Sequence, residues 1–308
     1  MLSRIAESLF WIGRYVERAD DTARLLDVHL QIILEDPWAS EDLACRSLLT
    51  VMDRPTPATG LVGRETVLDL LAYDRFAPTS IAGSLTSARE NARRAREILS
   101  TDLWESLNAT WNGLPGQMRP VRAHDYFTWV RERAAMVNGL VDSVTARDDT
   151  WRFLVLGRSI ERADMTARLL TTRALAGAAG PGWTTLLRSC GAYESFLRVH
   201  RATVSEERAA GYLLLDRQFP RSVVFALNTA EAMLLELDPV LDFSRVDEAR
   251  REIGLVRSSL EYRPLLDIVD HLPEEMERVQ RACSAASDAI RGRYFPADLT
   301  THWIGEAL

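Results

Sequence analysis

The sequence predicts an all-α protein, built as a single large helical bundle of two pseudo-symmetric repeated halves. Apolar residues recur at alternating steps of four and three, and no stretch has the alternation typical of a β-strand. The chain also repeats itself, because residues 9–26 align with residues 153–170 at 11 identical positions out of 18. A period of 144 residues is too long for a solenoid and favours a duplicated half-bundle. We expect a first half at 1–147 and a second half at 148–308, packed as one domain.

The opening helix is predicted to cover residues 3–34, with Ser3 as its N-cap. Its apolar stripe runs from Ile5 to Ile33 on steps of four and three, the seam of a helix that lies nearly parallel to its neighbours. The helix that begins the second half has the same spacing. Small residues in the middle of the two stripes, such as Ala19 and Ala163, predict the close approach of another helix.

Cap residues, proline and glycine set the limits of the remaining elements. A short helix is expected after Ser40, and residues 54–60 and 74–80 are expected to form a loop and a turn. In the first half, one helix is predicted at residues 64–73, and the turn leads into a second, with Thr79 or Ser80 near its cap, that includes residues 87–99. Two more are predicted at 101–113 and 124–145. In the second half, the repeated helix ends at the segment 177–182, and helices follow at 183–201, 205–215, 222–237, 244–260 and 274–291.

The two copies of the opening helix share a set of charged residues beside a repeated glycine, Gly13 and Gly157. We interpret this set as a candidate functional site or a structural ion-pair network. Its members are Arg14, Glu17, Arg18, Asp20 and Arg24 in the first copy, and Arg158, Glu161, Arg162, Asp164 and Arg168 in the second.

Arg162 has no acid within reach on its own helix, because Met165 stands where the first copy has an aspartate. If Arg162 is buried, an acid or a ligand must come from elsewhere. One hypothesis is that the repeated helices cross near their glycines and that Glu17 pairs with Arg162. The reciprocal pair would join Glu161 to Arg18. The alternative is that helices of the same half satisfy each residue.

Four carboxylates on the two repeated helices could also suggest a di-metal centre. Such centres normally include Glu-x-x-His, but here the three-residue step from glutamate leads to aspartate, and no histidine recurs with the repeat. No Walker, GxGxxG, GxSxG or HExxH motif occurs. We therefore expect no metal and no cofactor.

A second motif recurs at a shift of 142 residues. Leu71-x-x-Asp74-Arg75-x-x-Pro78-x-Ser80 is matched by Leu213-x-x-Asp216-Arg217-x-x-Pro220-x-Ser222. The helix after the first copy differs from its counterpart, because its polar residues Arg89, Glu90 and Asn91 have no equivalents in the second half. We consider these three as a candidate ligand-binding group, with a solvated charged face as the alternative.

Composition narrows the function classes. The net charge of −7 argues against a nucleic-acid or anionic-membrane partner. All 37 basic residues are arginine, so a Schiff-base lysine and a P-loop lysine are excluded in this chain. Three cysteines without CxxC spacing, and no signal peptide, favour a reducing cytoplasm.

Three stretches together resemble the bacterial alpha-E family, named for a helical domain with a Glu-Arg motif. These stretches are the paired G-R-x-x-E-R-A-D-x-T-A-R-L-L segments, the opening LSRIAESLFWIGRYVERAD, and SLTSARENAR-x-x-REILS followed by Trp104-Glu105-x-x-Asn108. The likeness covers essentially the whole chain. The second half lacks the Arg-Glu-Asn helix, so the resemblance supports a site there less strongly.

The resemblance implies a role in a system that makes or modifies peptides through amide bonds. Alpha-E proteins are typically encoded beside, or fused to, a circularly permuted ATP-grasp protein, often with a transglutaminase-like peptidase nearby. One hypothesis is a non-catalytic helical partner, or a peptide-binding subunit, of the ATP-grasp ligase. The alternative is an enzyme that transfers amide or acyl groups. Its site would be formed by Arg14, Glu17 and Arg18 together with Arg89, Glu90 and Asn91.

Overall fold

Helices form all of the regular secondary structure in the part of the chain that the computed structural model describes. That part consists of residues 1–35, 40–115, 122–176, 182–201, 203–238 and 247–296. The predicted all-α class is therefore confirmed, while the two-fold relation between the halves stays a prediction.

The helices of the first half are α1 (Ser3–Glu35), α2 (Glu41–Val51), α3 (Arg64–Leu68, continued as one π-helical stretch, Asp69–Tyr73), α4 (Ile81–Arg94), α5 (Thr101–Asn112) and α6 (Ala123–Val144). Those of the second half are α7 (Asp149–Ala176), α8 (Trp183–Ser189), α9 (Tyr193–His200), α10 (Glu206–Leu215), α11 (Val223–Leu237), α12 (Glu248–Glu261), α13 (Leu265–Asp270) and α14 (Leu272–Tyr294).

Side-chain caps explain where many of these helices begin. The Oγ of Ser80 accepts a hydrogen bond from the N–H of Gly83 at 3.0 Å, and Ser222 caps α11 in the same way through Phe225 at 3.1 Å. Each cap satisfies an N–H that has no partner inside the helix. The other side-chain caps are Ser40, Ser100, Ser205 and Asp247.

Three predicted helices differ from the observed ones. The prediction of one helix over 183–201 is wrong, because Gly191 adopts a positive φ of 64° between α8 and α9. A Cβ at Gly191 would lie 2.9 Å from a guanidinium nitrogen of Arg24, so this break also makes room for α1. Helix α4 starts at Ile81, directly after its predicted cap Ser80, but it ends at Arg94, before the predicted end at residue 99. The helix α13 was not predicted, and the predicted start of α12 at 244 lies outside the described residues.

The first and seventh helices form the centre of the bundle. Helix α1 packs against α4, α6 and α7, and α7 packs in turn against α11 and α14. The apolar stripe of α1 is buried along its length, and Leu9, Ala19 and Leu26 have no exposed surface. All three cysteines are buried and free. Among the described helices, none has both the length and the apolar character needed to cross a bilayer.

Candidate functional site

The candidate site lies where α1 and α7 cross at their repeated glycines. A Cβ at Gly13 would overlap the carbonyl oxygen of Leu154 and lie 2.9 Å from the N–H nitrogen of Arg158. A Cβ at Gly157 would overlap the carbonyl oxygen of Phe10 on the facing helix. The two backbones are therefore in direct contact, which only glycine permits at these positions.

Reciprocal ion pairs join the two helices beside this crossing. The Nε of Arg162 donates to Glu17 at 2.6 Å, and the Nε of Arg18 donates to Glu161 at 2.5 Å. The second guanidinium nitrogen of each arginine also reaches its glutamate, at 3.1 Å for Arg162 and 3.0 Å for Arg18. The predicted cross-pairing is confirmed, and we call these four residues the Glu-Arg clamp.

One further arginine supports each glutamate of the clamp. Arg14 donates to Glu161 at 2.6 Å, and Arg221, from the turn before α11, lies 2.9 Å from Glu17. The two supporting residues come from different places in the fold. Each glutamate side chain is therefore enclosed by two guanidinium groups, and their exposed fractions are only 0% for Glu17 and 1% for Glu161.

These guanidinium groups control the ionisation of the two glutamates. Burial disfavours the charged form of Glu17, but Arg162 and Arg221 outweigh that effect and lower its pKa to about 2. Burial likewise opposes ionisation of Glu161, and Arg18 with Arg14 lowers its pKa to about 2. Both glutamates are therefore ionised at neutral pH and are poor proton acceptors there.

Arg221 also neutralises an acidic cluster on α1. Glu17, Asp20 and Asp21 each place an oxygen within 4.8 Å of the others, which is a spacing that could hold a metal ion. The guanidinium of Arg221 contacts all three carboxylates. The cation that this cluster needs is thus supplied by the chain itself.

Asp21 behaves differently from the two clamp glutamates. Burial raises its pKa to about 8, and the charges of Glu17 and Asp20 add to this effect, although Arg221 opposes it. The Oδ2 atom of Asp21 is buried and has no hydrogen-bond partner among the described residues. Burial thus favours the protonated form of Asp21, in contrast to the two glutamates.

The remaining members of the predicted network lie around the clamp. Asp20 pairs with Arg24 at 3.1 Å, and Asp164 pairs with Arg168 at 2.8 Å, as their four-residue spacing predicts. Arg158 is placed apart from the glutamates, because its guanidinium reaches Asp142 on α6 at 3.2 Å. These pairs do not include the two clamp glutamates.

The three candidate ligand-binding residues of α4 make contacts of their own. The guanidinium of Arg89 lies 4.7 Å from the ring centre of Trp111 on α5 and also pairs with Glu90. The side-chain amide of Asn91 donates to the backbone oxygen of Ser87 at 2.8 Å. None of these contacts involves the clamp. Arg89 joins α4 to α5, while Glu90 and Asn91 make their contacts within α4.

The repeated Asp-Arg motif builds two similar turns. In the first, the Oδ1 of Asp74 accepts from the N–H groups of Phe76 and Ala77, at 2.9 and 3.2 Å. In the second, Asp216 accepts from the N–H groups two and three residues later, at 2.8 and 2.7 Å. This Asx-turn geometry leads directly into the serine caps of α4 and α11.

The arginines of this motif have separate structural roles. Arg75 donates to the backbone oxygen of Leu114 at 2.9 Å, while Arg217 lies 2.7 Å from Glu261. The motif therefore shapes connections between helices, and neither arginine reaches the clamp.

A pocket of about 210 Å³ opens beside the clamp, between α1, α7 and α14. Arg14 and Arg18 separate it from Glu161, and Arg168 of α7 forms another part of its wall. The α14 residues that line the pocket are Gln280, Ser284, Ser287, Asp288 and Arg291. The pocket therefore combines guanidinium groups with hydroxyl and amide groups.

Sequence reasoning missed two components of this region. One is Arg221, which occupies the variable position between proline and serine in the second turn, where the first turn has Thr79. The other is the polar face of α14, whose members are spaced by four, three, one and three residues, as one helical face requires. Arg221 and the polar face of α14 can both be read from the sequence, but only the tertiary packing shows which charged residues they contact.

Comparison with known proteins gives the family. The Alpha-E family, described as a predicted alpha-helical domain with a conserved ER motif, matches residues 1–295. The chain is similar to uncharacterized proteins of Mycobacterium bovis and Mycobacterium tuberculosis, with 27% identity over 266 residues. The match covers 76% of this chain and 30% of each relative, so the chain spans less than a third of their length.

No solved structure matches this chain. The family match extends through both repeated helices and ends close to the last described residue of α14. Two Glu-Arg dipeptides within the matched residues, Glu17-Arg18 and Glu161-Arg162, form the clamp. The chain therefore belongs to the Alpha-E family.

Proposed function

We propose that this protein is a non-catalytic helical partner, or a substrate-binding subunit, of an ATP-grasp ligase that forms peptide or amide bonds in the cytoplasm. The observation that carries the proposal is the closed Glu-Arg clamp. Its charged groups, which could otherwise serve a reaction, are buried and paired with one another. The motif thus holds the bundle together and leaves a neighbouring pocket available for binding.

The alternative of an amide- or acyl-transfer enzyme fits this geometry less well. Glu17 would have to act as the base, but it has no exposed surface and its pKa, set by burial and by two opposing guanidinium groups, is about 2. A general base works best with a pKa near the working pH. Arg89, which would help to complete the site, packs on Trp111 of α5 instead, and Asn91 donates to Ser87 within α4.

The relatives support a role beside a second protein or domain. The segment similar to this chain makes up 30% of each mycobacterial relative, so in them the helical domain is joined to much further sequence. Such joining is expected of a module that works next to another one. The partner in our proposal is a circularly permuted ATP-grasp protein, with a transglutaminase-like peptidase as a second candidate. Three buried free thiols are compatible with a reducing compartment.

Association and activity can be tested together. The full chain is mixed with the circularly permuted ATP-grasp protein, and complex formation is followed by co-purification and by sedimentation at micromolar concentrations. Amide formation is then measured with each protein alone and with both. We expect a complex, and faster ligation when both are present.

Two results would contradict the proposal. One is the absence of a complex at micromolar concentrations. The other is turnover of an amide substrate by this chain alone, provided that Glu17→Gln abolishes the turnover without lowering thermal stability, which would favour the enzyme.

A further inference from the structure

The pocket between α1, α7 and α14 is lined by guanidinium groups whose hydrogen-bond donors are not all paired within the protein. Arg14 is nine-tenths buried. Its Nε donates to Glu161 at 2.6 Å, and one terminal nitrogen donates to the hydroxyl of Ser287 at 2.8 Å. Its other terminal nitrogen makes no hydrogen bond to the described residues. Arg168 likewise donates from Nε to Asp164 and from one terminal nitrogen to the backbone oxygen of Val51.

Arg291 completes the cationic lining at the solvent side. It is exposed, it lines the pocket, and its guanidinium has no ion pair or hydrogen bond to any described residue. Arginines from α1, α7 and α14 therefore line one space, and each has at least one guanidinium nitrogen without a hydrogen bond to the described residues. Planar guanidinium groups favour oxyanions, which they bind through charge-assisted hydrogen bonds.

The net charge of the pocket indicates what kind of anion it accepts. Four guanidinium groups line it, from Arg14, Arg18, Arg168 and Arg291. They face three carboxylates, which are Asp164 and Asp288 in the lining and Glu161 behind it. One positive charge is left over in a protein whose net charge is −7. A single excess charge fits a carboxylate better than a phosphate dianion.

Aromatic residues also line the pocket, beside the arginines, because the guanidinium of Arg14 lies 5.4 Å from the ring centre of Trp11 and 6.0 Å from that of Phe10. These residues are Phe10, Trp11 and Phe295, with the ring centres of Phe10 and Trp11 5.7 Å apart and those of Phe10 and Phe295 5.8 Å apart. Such rings favour an apolar or aromatic body on the ligand. The volume of about 210 Å³ is below the roughly 300–1,000 Å³ of pockets for drug-sized molecules, so it suits a group of about one amino-acid residue.

We propose that this pocket binds the free carboxylate of an aromatic or apolar acyl amino acid, such as the last residue of a peptide. The carboxylate meets Arg291 and the free nitrogens of Arg14 and Arg168, and Ser284 offers a further hydroxyl donor. The side chain lies against Trp11, which is partly exposed, whereas Phe10 is buried. This assignment rests on the proposed substrate-binding role and names the class of substrate end that the site would hold.

Binding by the isolated chain tests the assignment without any ligase. Isothermal titration calorimetry is performed with N-acetyl-L-phenylalanine, with N-acetyl-L-phenylalaninamide, which lacks the negative charge, and with phenyl phosphate. We expect the free acid to bind, and the amide and the phosphate to bind at least about tenfold more weakly. Failure here leaves the ligase partnership intact, because that is judged by co-purification.

A matched pair of variants places the binding in this pocket. Arg291→Gln removes an arginine without a partner, so the fold is unaffected, and affinity for the free acid is expected to fall by about tenfold. The control is Arg281→Gln on the same helix, where Arg281 is 65% exposed, pairs with Glu277 and lies outside the pocket. That variant is expected to bind like the wild-type chain.

Several outcomes would overturn the assignment. They are no heat from N-acetyl-L-phenylalanine at millimolar concentration, equal binding of acid and amide, tighter binding of phenyl phosphate, or equal losses in the two arginine variants. Thermal melts of both variants are recorded in parallel, and we expect them to match the wild type.

Discussion

At the scale of single residues, Glu17 and Glu161 determine how the centre of the bundle is held. A buried ion pair adds little net stability compared with a well-packed apolar pair, because both charges must leave water. Removing one partner, in contrast, leaves an uncompensated buried charge. We infer that the clamp selects one register of α1 against α7, since a shift of either helix would separate both glutamates from their arginines.

Asp21 leads to a prediction about pH dependence. Its pKa is about 8 in the folded protein, mainly through burial, against about 3.9 in an unfolded chain. The stability linked to this proton is fully present below about pH 4 and is lost as the pH rises through about 8. We expect the free energy of unfolding, measured by urea titration, to fall between about pH 7 and 9, and to fall less in Asp21→Asn. The amide keeps an oxygen that accepts from Arg221.

The control for this pH experiment is Glu277→Gln, which changes an exposed acid of α14 and should keep the wild-type slope. Histidine titration is largely complete above about pH 7.5, so it does not mask the effect. Glu17 and Glu161 act with the opposite sign, because their lowered pKa adds stability above about pH 4.5 that is lost towards pH 2. Equal slopes for Asp21→Asn and the wild type would show that Asp21 is already ionised at pH 7.

At the scale of helices, the crossing depends on two positions without a side chain. Gly13 and Gly157 let α1 and α7 approach until backbone meets backbone, which brings the glutamates within reach of the opposite arginines. The stripe of small residues along α1 and α7 extends this approach, and Ala19, Ala23 and Ala163 have no exposed surface.

Replacing one of these glycines should therefore be costly. In Gly13→Ala the added methyl group overlaps the carbonyl oxygen of Leu154, and the helices must separate. We expect the free energy of unfolding to fall by about 1–3 kcal/mol or more. The matched control is Gly139→Ala in α6, where a Cβ meets no atom within 4 Å and alanine should add up to about 1 kcal/mol. If Gly13→Ala lowers the free energy of unfolding by no more than a few tenths of a kcal/mol, that result would contradict the close crossing.

The sequence predicts the centre of the molecule better than its periphery. The stripe of α1, the repeat, and the orphaned Arg162 together predict the cross-pairing, because local spacing shows which charges lack partners on their own helix. The break at Gly191 was not predictable, since a lone glycine is also tolerated within helices. Whether the helix ends there depends on the space that the side chain of Arg24 needs. The pocket was not predictable either, because α14 forms part of its wall and the contact of α14 with α1 is set by tertiary packing alone.

At the scale of the whole molecule, the two predicted halves share one core. The buried residues of α1 and α7 belong to a single apolar cluster that extends from Ile5 to Phe295. Separating the halves would expose Leu9 and Leu156, both fully buried, together with two unpaired glutamates. The halves are therefore expected to depend on each other for folding.

Fragments 1–147 and 148–308 can test this dependence. Produced separately, each fragment should lack a cooperative thermal transition and the near-ultraviolet circular dichroism of packed aromatic residues. Produced together, they should form a one-to-one complex with the melting behaviour of a folded protein. A cooperative melt of either fragment by itself would mean that the boundary at residue 147 separates two autonomous domains.

A double-mutant cycle between Glu17 and Arg162 tests the clamp most directly. The free energies of unfolding of Glu17→Gln, Arg162→Gln and the double variant are compared with the wild type by urea titration. We expect Glu17→Gln to lose about 3–5 kcal/mol, because Arg162 and Arg221 both lose this carboxylate, and Arg162→Gln to lose less, because Arg221 still pairs with Glu17. We also expect the double variant to lose less than the sum, by about 1–3 kcal/mol. Losses that add to within about 0.5 kcal/mol would contradict a buried ion pair between α1 and α7.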